Sequence, residues 1–259
     1  MSTPTELTLL REEATGDPAA DLERSLTLLR EVASGQRGNL LRLYRPAPTL
    51  AFGQRDRRLP GFEKAWETAI SHGFTPVVRS AGGRAAAYHE GCLIVDQIQA
   101  DPEPMLAHQG RFAEFGERFA QVLRSLGVDA AVGEVPGEYC PGEFSVNGRP
   151  AARVPESPTT GGRVKLVGTA QRVVAGAWLF TSVVVVDGAD SLLKVTRNVY
   201  EDLGLALDPA TVGAAADLVM PGAARLDVET LAEALLTHWN VASAAPADGG
   251  RARPRPVAS

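Results

Sequence analysis

Apolar residues recur with a helical period in several stretches of the chain. In DLERSLTLLREVAS (21–34), Leu22, Leu26, Leu29 and Val32/Ala33 share one face, and Gly35 follows as a stop. GFEKAWETAISHG (61–73) predicts a short helix that buries Phe62, Trp66 and Ile70 and closes at Gly73. Residues 105–126 set Phe112, Phe115, Phe119, Val122 and Leu126 in register, which predicts a longer helix. From about 190 to 239 the chain again reads as helical, through SLLKVTRNVYEDLGL, TVGAAADLV and DVETLAEALLTHW.

Between these stretches the pattern shortens. NLLRLYRPAPTLAFG (39–53) reads as two strand pieces broken by Pro46 and Pro48. TPVVRS (75–80) is a strand that runs into the glycine-rich turn AGGRAAAYHEG, and CLIVDQI (92–98) is another strand. EFSVNGR (143–149) precedes a long loop, 150–162, rich in Pro, Ser, Thr and Gly. Residues 163–187 are strand-rich, with a tight turn at Ala175-Gly176. Helices flank and interrupt strands without a regular βαβ beat. The expected fold class is therefore α/β (α+β), with a mixed, largely antiparallel central sheet flanked by helices. One domain is expected over 20–240, after a flexible segment at 1–19 and before a disordered tail at 241–259.

Composition narrows the function classes. Of 259 residues, 44% are hydrophobic, enough for one substantial core. The net charge of −5 supplies no overall positive field to hold nucleic acid or an anionic membrane. No apolar run approaches the roughly 20 residues of a membrane span, and the N-terminus lacks the basic start and apolar core of a secretory signal. The reading is a cytoplasmic protein, a monomer or weak dimer. Only three of the 26 basic residues are lysine: Lys64, Lys165 and Lys194. In so arginine-rich a chain, a lysine is a candidate for a place that needs a compact ammonium.

Candidate chemistry is sparse. Histidines stand at 72, 89, 108 and 238, without zinc-type spacing to one another or to cysteine, so no metal site is expected. The pair Gly82-Gly83 could bring bare backbone to a ligand, or could be a plain turn. It matches no nucleotide-binding loop. Cys92 opens an apolar strand and reads as a core residue. Cys140 lies instead in GEYCPGEF (137–144), outside any apolar period. It is a candidate nucleophile if a cation lies close enough to favour its thiolate. Lys165, in RVKLVGTAQ, is a candidate for that cation. Strict alternation sets it beside Val167, on the face opposite Val164 and Leu166; a solvent-facing lysine is the plainer alternative.

Four segments in order carry a resemblance: RLPGFEKA, VRSAGGRAAAYHEG, CPGEFSVNG and KLVGTAQR. Together they resemble the biotin/lipoate protein ligase superfamily, and within it the octanoyl amidotransferases, over roughly residues 20 to 240. The resemblance implies a class II synthetase-like catalytic domain. It implies transfer of an octanoyl or lipoyl group through a cysteine thioester to a lysine of lipoyl domains. The implied partners are the lipoyl domains of 2-oxoacid dehydrogenases and the glycine-cleavage H protein. Carried over by position, Cys140 and Lys165 become the catalytic residues. Arg79, Gly82, Gly83, His89, Gly168 and Thr169 become acyl-binding residues. No cofactor is implied, unless the chain is an ATP-dependent lipoate ligase, in which case ATP and Mg enter and Lys165 holds the adenylate. A non-catalytic homologue that binds acyl groups or lipoyl proteins is the third reading. Arg84 beside the glycine pair is a candidate contact for a carboxylate or phosphate, or faces water, and the cluster RDRR (55–58) is a candidate docking patch or a plain solvated turn.

Overall fold

The computed structural model describes residues 6–80, 82–149, 162–219 and 224–241. Its frame is a seven-stranded sheet built from β1 (Thr8–Glu13), β2 (Leu40–Arg45), β6 (Cys92–Ala100), β10 (Ala177–Val185), β9 (Val164–Val174), β8 (Val146–Arg149) and β7 (Asp129–Val132), in that spatial order. Only the β1–β2 pair is parallel; the other neighbours run antiparallel. A second sheet places β3 (Thr49–Phe52) between β4 (Thr75–Val78) and β5 (Ala86–Tyr88).

Alternation along the central strands feeds two sides of the large sheet. Trp178 and Phe180 of β10 join Leu93 and Val95 of β6 in a core with Phe115, Phe119 and Leu123 of α3 (His108–Ser125) and Leu231, Leu235 and Trp239 of α5 (Val228–Trp239). Leu179, one residue on from Trp178, packs with Ile98 against Leu28, Leu29 and Val32 of α1 (Pro18–Ala33) on the other side. A period of two in each strand thus serves helices on both faces. Asp17 caps α1 by accepting from the amides of Ala19 and Ala20, with Pro18 in the first turn. The small sheet packs with α2 (Phe62–Ser71) and α4 (Ala189–Leu203) in a third cluster.

The mixed, mainly antiparallel sheet with flanking helices agrees with the sequence reading, and four local features differ from it. Residues 8–13, expected inside a flexible segment, form the edge strand β1. Its register with β2 runs from Thr8–Leu40 to Glu13–Arg45. Ile70 is 56% exposed rather than buried, because α2 turns its small residues Ala65 and Ala69 inward against the cluster it shares with α4. The stretch 211–219 is not an α-helix. Val212 is extended and bridges Lys165 in parallel, and a Cβ on Gly213 would press into Val164, so a helix cannot run through this close approach. Finally, β9 is buried on both faces at Lys165, Leu166 and Val167. The loop expected at 150–162, apart from its last residue, and the tail from 242 on lie outside the described residues.

Candidate active site

A cavity of about 500 Å³ opens between β9, β10, the start of α3 and the turn that carries Cys140. That turn is organised by a buried carboxylate. Glu138 Oε1 accepts from the Ser145 hydroxyl at 2.6 Å and the Gly142 amide at 3.0 Å, and Oε2 accepts from the Val135 amide at 3.4 Å. Its charge is matched by Lys165, whose side chain is 2% exposed. The Lys165 ammonium donates to Cys140 O at 2.7 Å, Tyr139 O at 3.1 Å and Glu138 Oε1 at 3.3 Å. Three donors thus meet three acceptors. Lys165 and Glu138 together fold the chain around Cys140.

Cys140 itself has a φ of +43°, a left-handed conformation that costs a side-chain-bearing residue of the order of 1 kcal/mol or more. Tyr200 helps to hold it there. The Cys140 amide donates to the Tyr200 hydroxyl at 2.7 Å, which in turn donates to Ala85 O at 3.0 Å. Burial, and next the neighbouring Cys140, push the Tyr200 phenol well above its ordinary range, so the hydroxyl keeps its proton for Ala85.

Two donors point at the sulfur. The Arg84 amide lies 3.2 Å from Cys140 Sγ and Arg79 Nη2 lies 3.6 Å from it. Arg79 Nη2 also donates to Arg84 O at 2.8 Å, while its buried Nε has no partner among the described residues. Gly83, with φ +100°, fits between them. A Cβ there would come within 2.8 Å of the sulfur and 2.5 Å of Arg79 Nη2. An amide N–H and a guanidinium are thus both placed to donate to the sulfur. Cys140 also lines the cavity, so the arrangement suits a nucleophile.

The structure brings most of the expected residues together. Arg79, Gly82, Gly83, Gly168 and Thr169 line the same cavity as Cys140 and Lys165. Gly168 and Thr169 lie on β9 beyond Val167, where its register with β8 ends, so they reach the cavity without a β8 partner. His89 does not line the cavity. Its Nδ1 accepts from the Gly91 amide at 2.8 Å and its Nε2 meets Gly188 O at 3.1 Å, so it ties the loop after β5 to the start of α4. The role expected for Lys165 also changes: its ammonium contacts the Cys140 carbonyl, while Arg79 is the cation at the sulfur. Cys92 is fully buried, its thiol pushed up to about 12 chiefly by that burial, and it forms no disulfide with Cys140. Among the described residues no three His, Cys, Asp or Glu side chains cluster to hold a metal ion, and no helix is long and apolar enough to cross a membrane.

Sequence reasoning missed Glu138, Tyr200 and Asp56. Glu138 stands two residues before the cysteine, but a turn glutamate carries no periodic signal. Asp56 is hidden inside RDRR, where Arg55, Arg57 and Arg58 are exposed and Asp56 is fully buried. A second, mainly apolar cavity of about 550 Å³, lined by Leu22, Leu26, Val77 and Ile94 among others, adjoins the first. The two share Arg79, Ala170, Thr181 and Val183.

Known proteins give this geometry its context. The chain is 31% identical over 151 residues to the octanoyl-[GcvH]:protein N-octanoyltransferase of Anoxybacillus flavithermus, covering 56% of this chain and 54% of that protein. It is 26% identical over 157 residues to the lipoyl-[GcvH]:protein N-lipoyltransferase of Listeria monocytogenes, covering 55% of each. The chain thus spans about half the length of these curated relatives. Its fold is shared with the bipartite lipoate protein ligase of Thermoplasma acidophilum, with a TM-score of 0.64 at 19% identity over 91% of this chain and 83% of that one. It is shared equally with a lipoate-protein ligase A bound with ATP, with a TM-score of 0.63 at 19% identity over 91% and 84%. The lipoyl protein ligase A/B catalytic domain matches residues 17–239, nearly the whole described chain, and the protein belongs to that family.

Proposed function

We propose that this protein is an acyltransferase of protein lipoylation that carries an octanoyl or lipoyl group on Cys140. The observation that carries this reading is the sulfur itself. Cys140 lines a cavity and sits at a strained backbone position, and its sulfur accepts from the Arg84 amide and Arg79. A purely structural cysteine needs none of this.

In the first half-reaction the Cys140 sulfur attacks the acyl carbonyl of an N-acyl-lysine on the donor protein. The carbon–nitrogen bond breaks, the donor lysine amine leaves with the proton that the thiol gives up, and a thioester forms. In the second half-reaction the ε-amine of an acceptor lysine attacks that thioester. The carbon–sulfur bond breaks, the proton that the amine loses ends on the departing sulfur, and the thiol is restored. One amide is exchanged for another, so no external energy source is consumed. The acyl tail has a place to go: the apolar cavity beyond Arg79 and Val183. The names of the relatives give GcvH as acyl donor and a protein as acceptor; the acceptors proposed here are lipoyl domains, like the E2 lipoyl domain that accompanies the archaeal ligase.

The test is intact-mass measurement after mixing with octanoylated H protein in the absence of ATP. The expected result is a gain of one octanoyl group that Cys140→Ser abolishes. Acyl transfer that appears only with free octanoate plus ATP would overturn the reading in favour of an ATP-dependent ligase.

A further inference from the structure

A turn as rich in glycine as residues 82–84 needs an anchor, and its anchor is Arg84. This one residue makes three contacts. Its amide donates to Cys140 Sγ at 3.2 Å, its carbonyl accepts from Arg79 Nη2 at 2.8 Å, and its guanidinium donates from Nη1 to Asp56 Oδ1 at 3.2 Å. The guanidinium therefore fixes the plane of the peptide whose N–H faces the nucleophile.

Asp56 completes the device. It is fully buried, and its second oxygen accepts from the Gly53 amide at 2.8 Å. Gly53 in turn abuts the glycine pair, since a Cβ on it would overlap the Gly83 carbonyl. Three arginines adjoin Asp56 in the sequence, at 55, 57 and 58, yet among the described residues its only ion pair is with Arg84. Burying a carboxylate costs several kcal/mol unless it is paired. A turn that only had to close could leave that charge in water, beside the arginines it already carries. Here the carboxylate is spent on the residue that holds the sulfur.

We infer that Asp56 and Arg84 are positioning residues that clasp the 83–84 peptide onto Cys140, and that losing the clasp slows acylation without weakening donor capture. This inference rests on the reading of Cys140 as the acyl carrier. A displacement of the order of 1 Å at a reacting group can cost a hundred-fold in rate.

The experiment measures single-turnover acylation by octanoylated H protein over a series of donor concentrations, for wild type, Asp56→Asn, Arg84→Met, Arg84→Lys and the Asp56→Asn/Arg84→Met double variant. The limiting rate is expected to fall about ten- to a hundred-fold in Asp56→Asn and Arg84→Met, with half-saturation within about twofold of wild type. The double variant should be no slower than the slower single one, because both remove the same clasp. Arg84→Lys keeps a cation within reach of Asp56 and should recover part of the rate, which a bulk structural defect would not allow. Melting temperatures control for folding. If Asp56→Asn is unstable, the two Arg84 variants decide alone, since that side chain is 32% exposed. Unchanged limiting rates, losses confined to half-saturation, or multiplying effects in the double variant would overturn the inference. A wild-type protein that never gains the acyl mass would instead remove the reading on which it rests.

Discussion

Lys165 shows how one side chain can decide the shape of a nucleophilic turn. Its ammonium joins Glu138 to the carbonyls of Tyr139 and Cys140, and both charges are out of water. A buried pair of this kind adds little net stability, yet removing one partner strands the other. Lys165→Met should therefore destabilise the protein by about 3 kcal/mol, towards the low end for such losses because Glu138 keeps its Ser145, Gly142 and Val135 donors. Urea unfolding checks this. A loss below about 1 kcal/mol would mean that the pair is not organising the turn. The scarcity of lysine in the chain singled out this residue as a cation for the sulfur, whereas the structure sets its ammonium on Glu138 and two backbone carbonyls. A compact ammonium spreads three donors around one point, which a planar guanidinium cannot do. The sequence could not show which atoms those donors meet, because the acceptors lie 25 to 27 residues earlier.

At the scale of elements, what could be read in advance was what repeats. The stripe of α1, the phenylalanines of α3 and the β9–β10 hairpin around Ala175-Gly176 all carry strong periodic signals, and all three form. Features set by a single close approach were not legible. The edge strand β1 depends on a parallel partner some thirty residues away, and the segment after α4 is held extended by β9. His89 follows the glycine-rich turn directly, but the short strand β5 carries it to Gly91 and Gly188 instead of the cavity. The glycine pair, by contrast, is where a turn signal and a site coincide. Gly83→Ala combines a positive φ with a Cβ inside the contact range of the sulfur and Arg79. Something must shift, and what shifts is the pair that prepares the nucleophile. Acyl-enzyme formation should drop by about a hundred-fold, with a smaller loss of stability, about 1–2 kcal/mol, read by thermal melting. Near-normal acylation would show that the sulfur tolerates a displaced loop.

For the molecule as a whole, the packing around the site has a consequence at high pH. All four tyrosines of the chain, Tyr44, Tyr88, Tyr139 and Tyr200, are buried in one cluster, the core that joins the small sheet to α2 and α4 and borders Cys140. Each phenol is raised above its ordinary range, and burial is the largest cause for each. The folded chain therefore holds these protons more tightly than the unfolded chain, whose phenols titrate near 10. Where the unfolded state binds fewer protons, stability falls as pH rises. The contribution is complete below about pH 10 and is lost above it, by about 1.4 kcal/mol per pH unit for each phenol still protonated in the fold. Four such groups in one cluster make the loss steep. On raising the pH past 10, tyrosinate absorbance should appear together with the loss of near-ultraviolet circular dichroism, in one cooperative step, and melting temperatures should fall sharply over the same interval. Smooth ionisation of the phenols near 10 in a protein that keeps its native dichroism would show that this cluster admits water and base, and with them a solvent path to the wall behind Cys140.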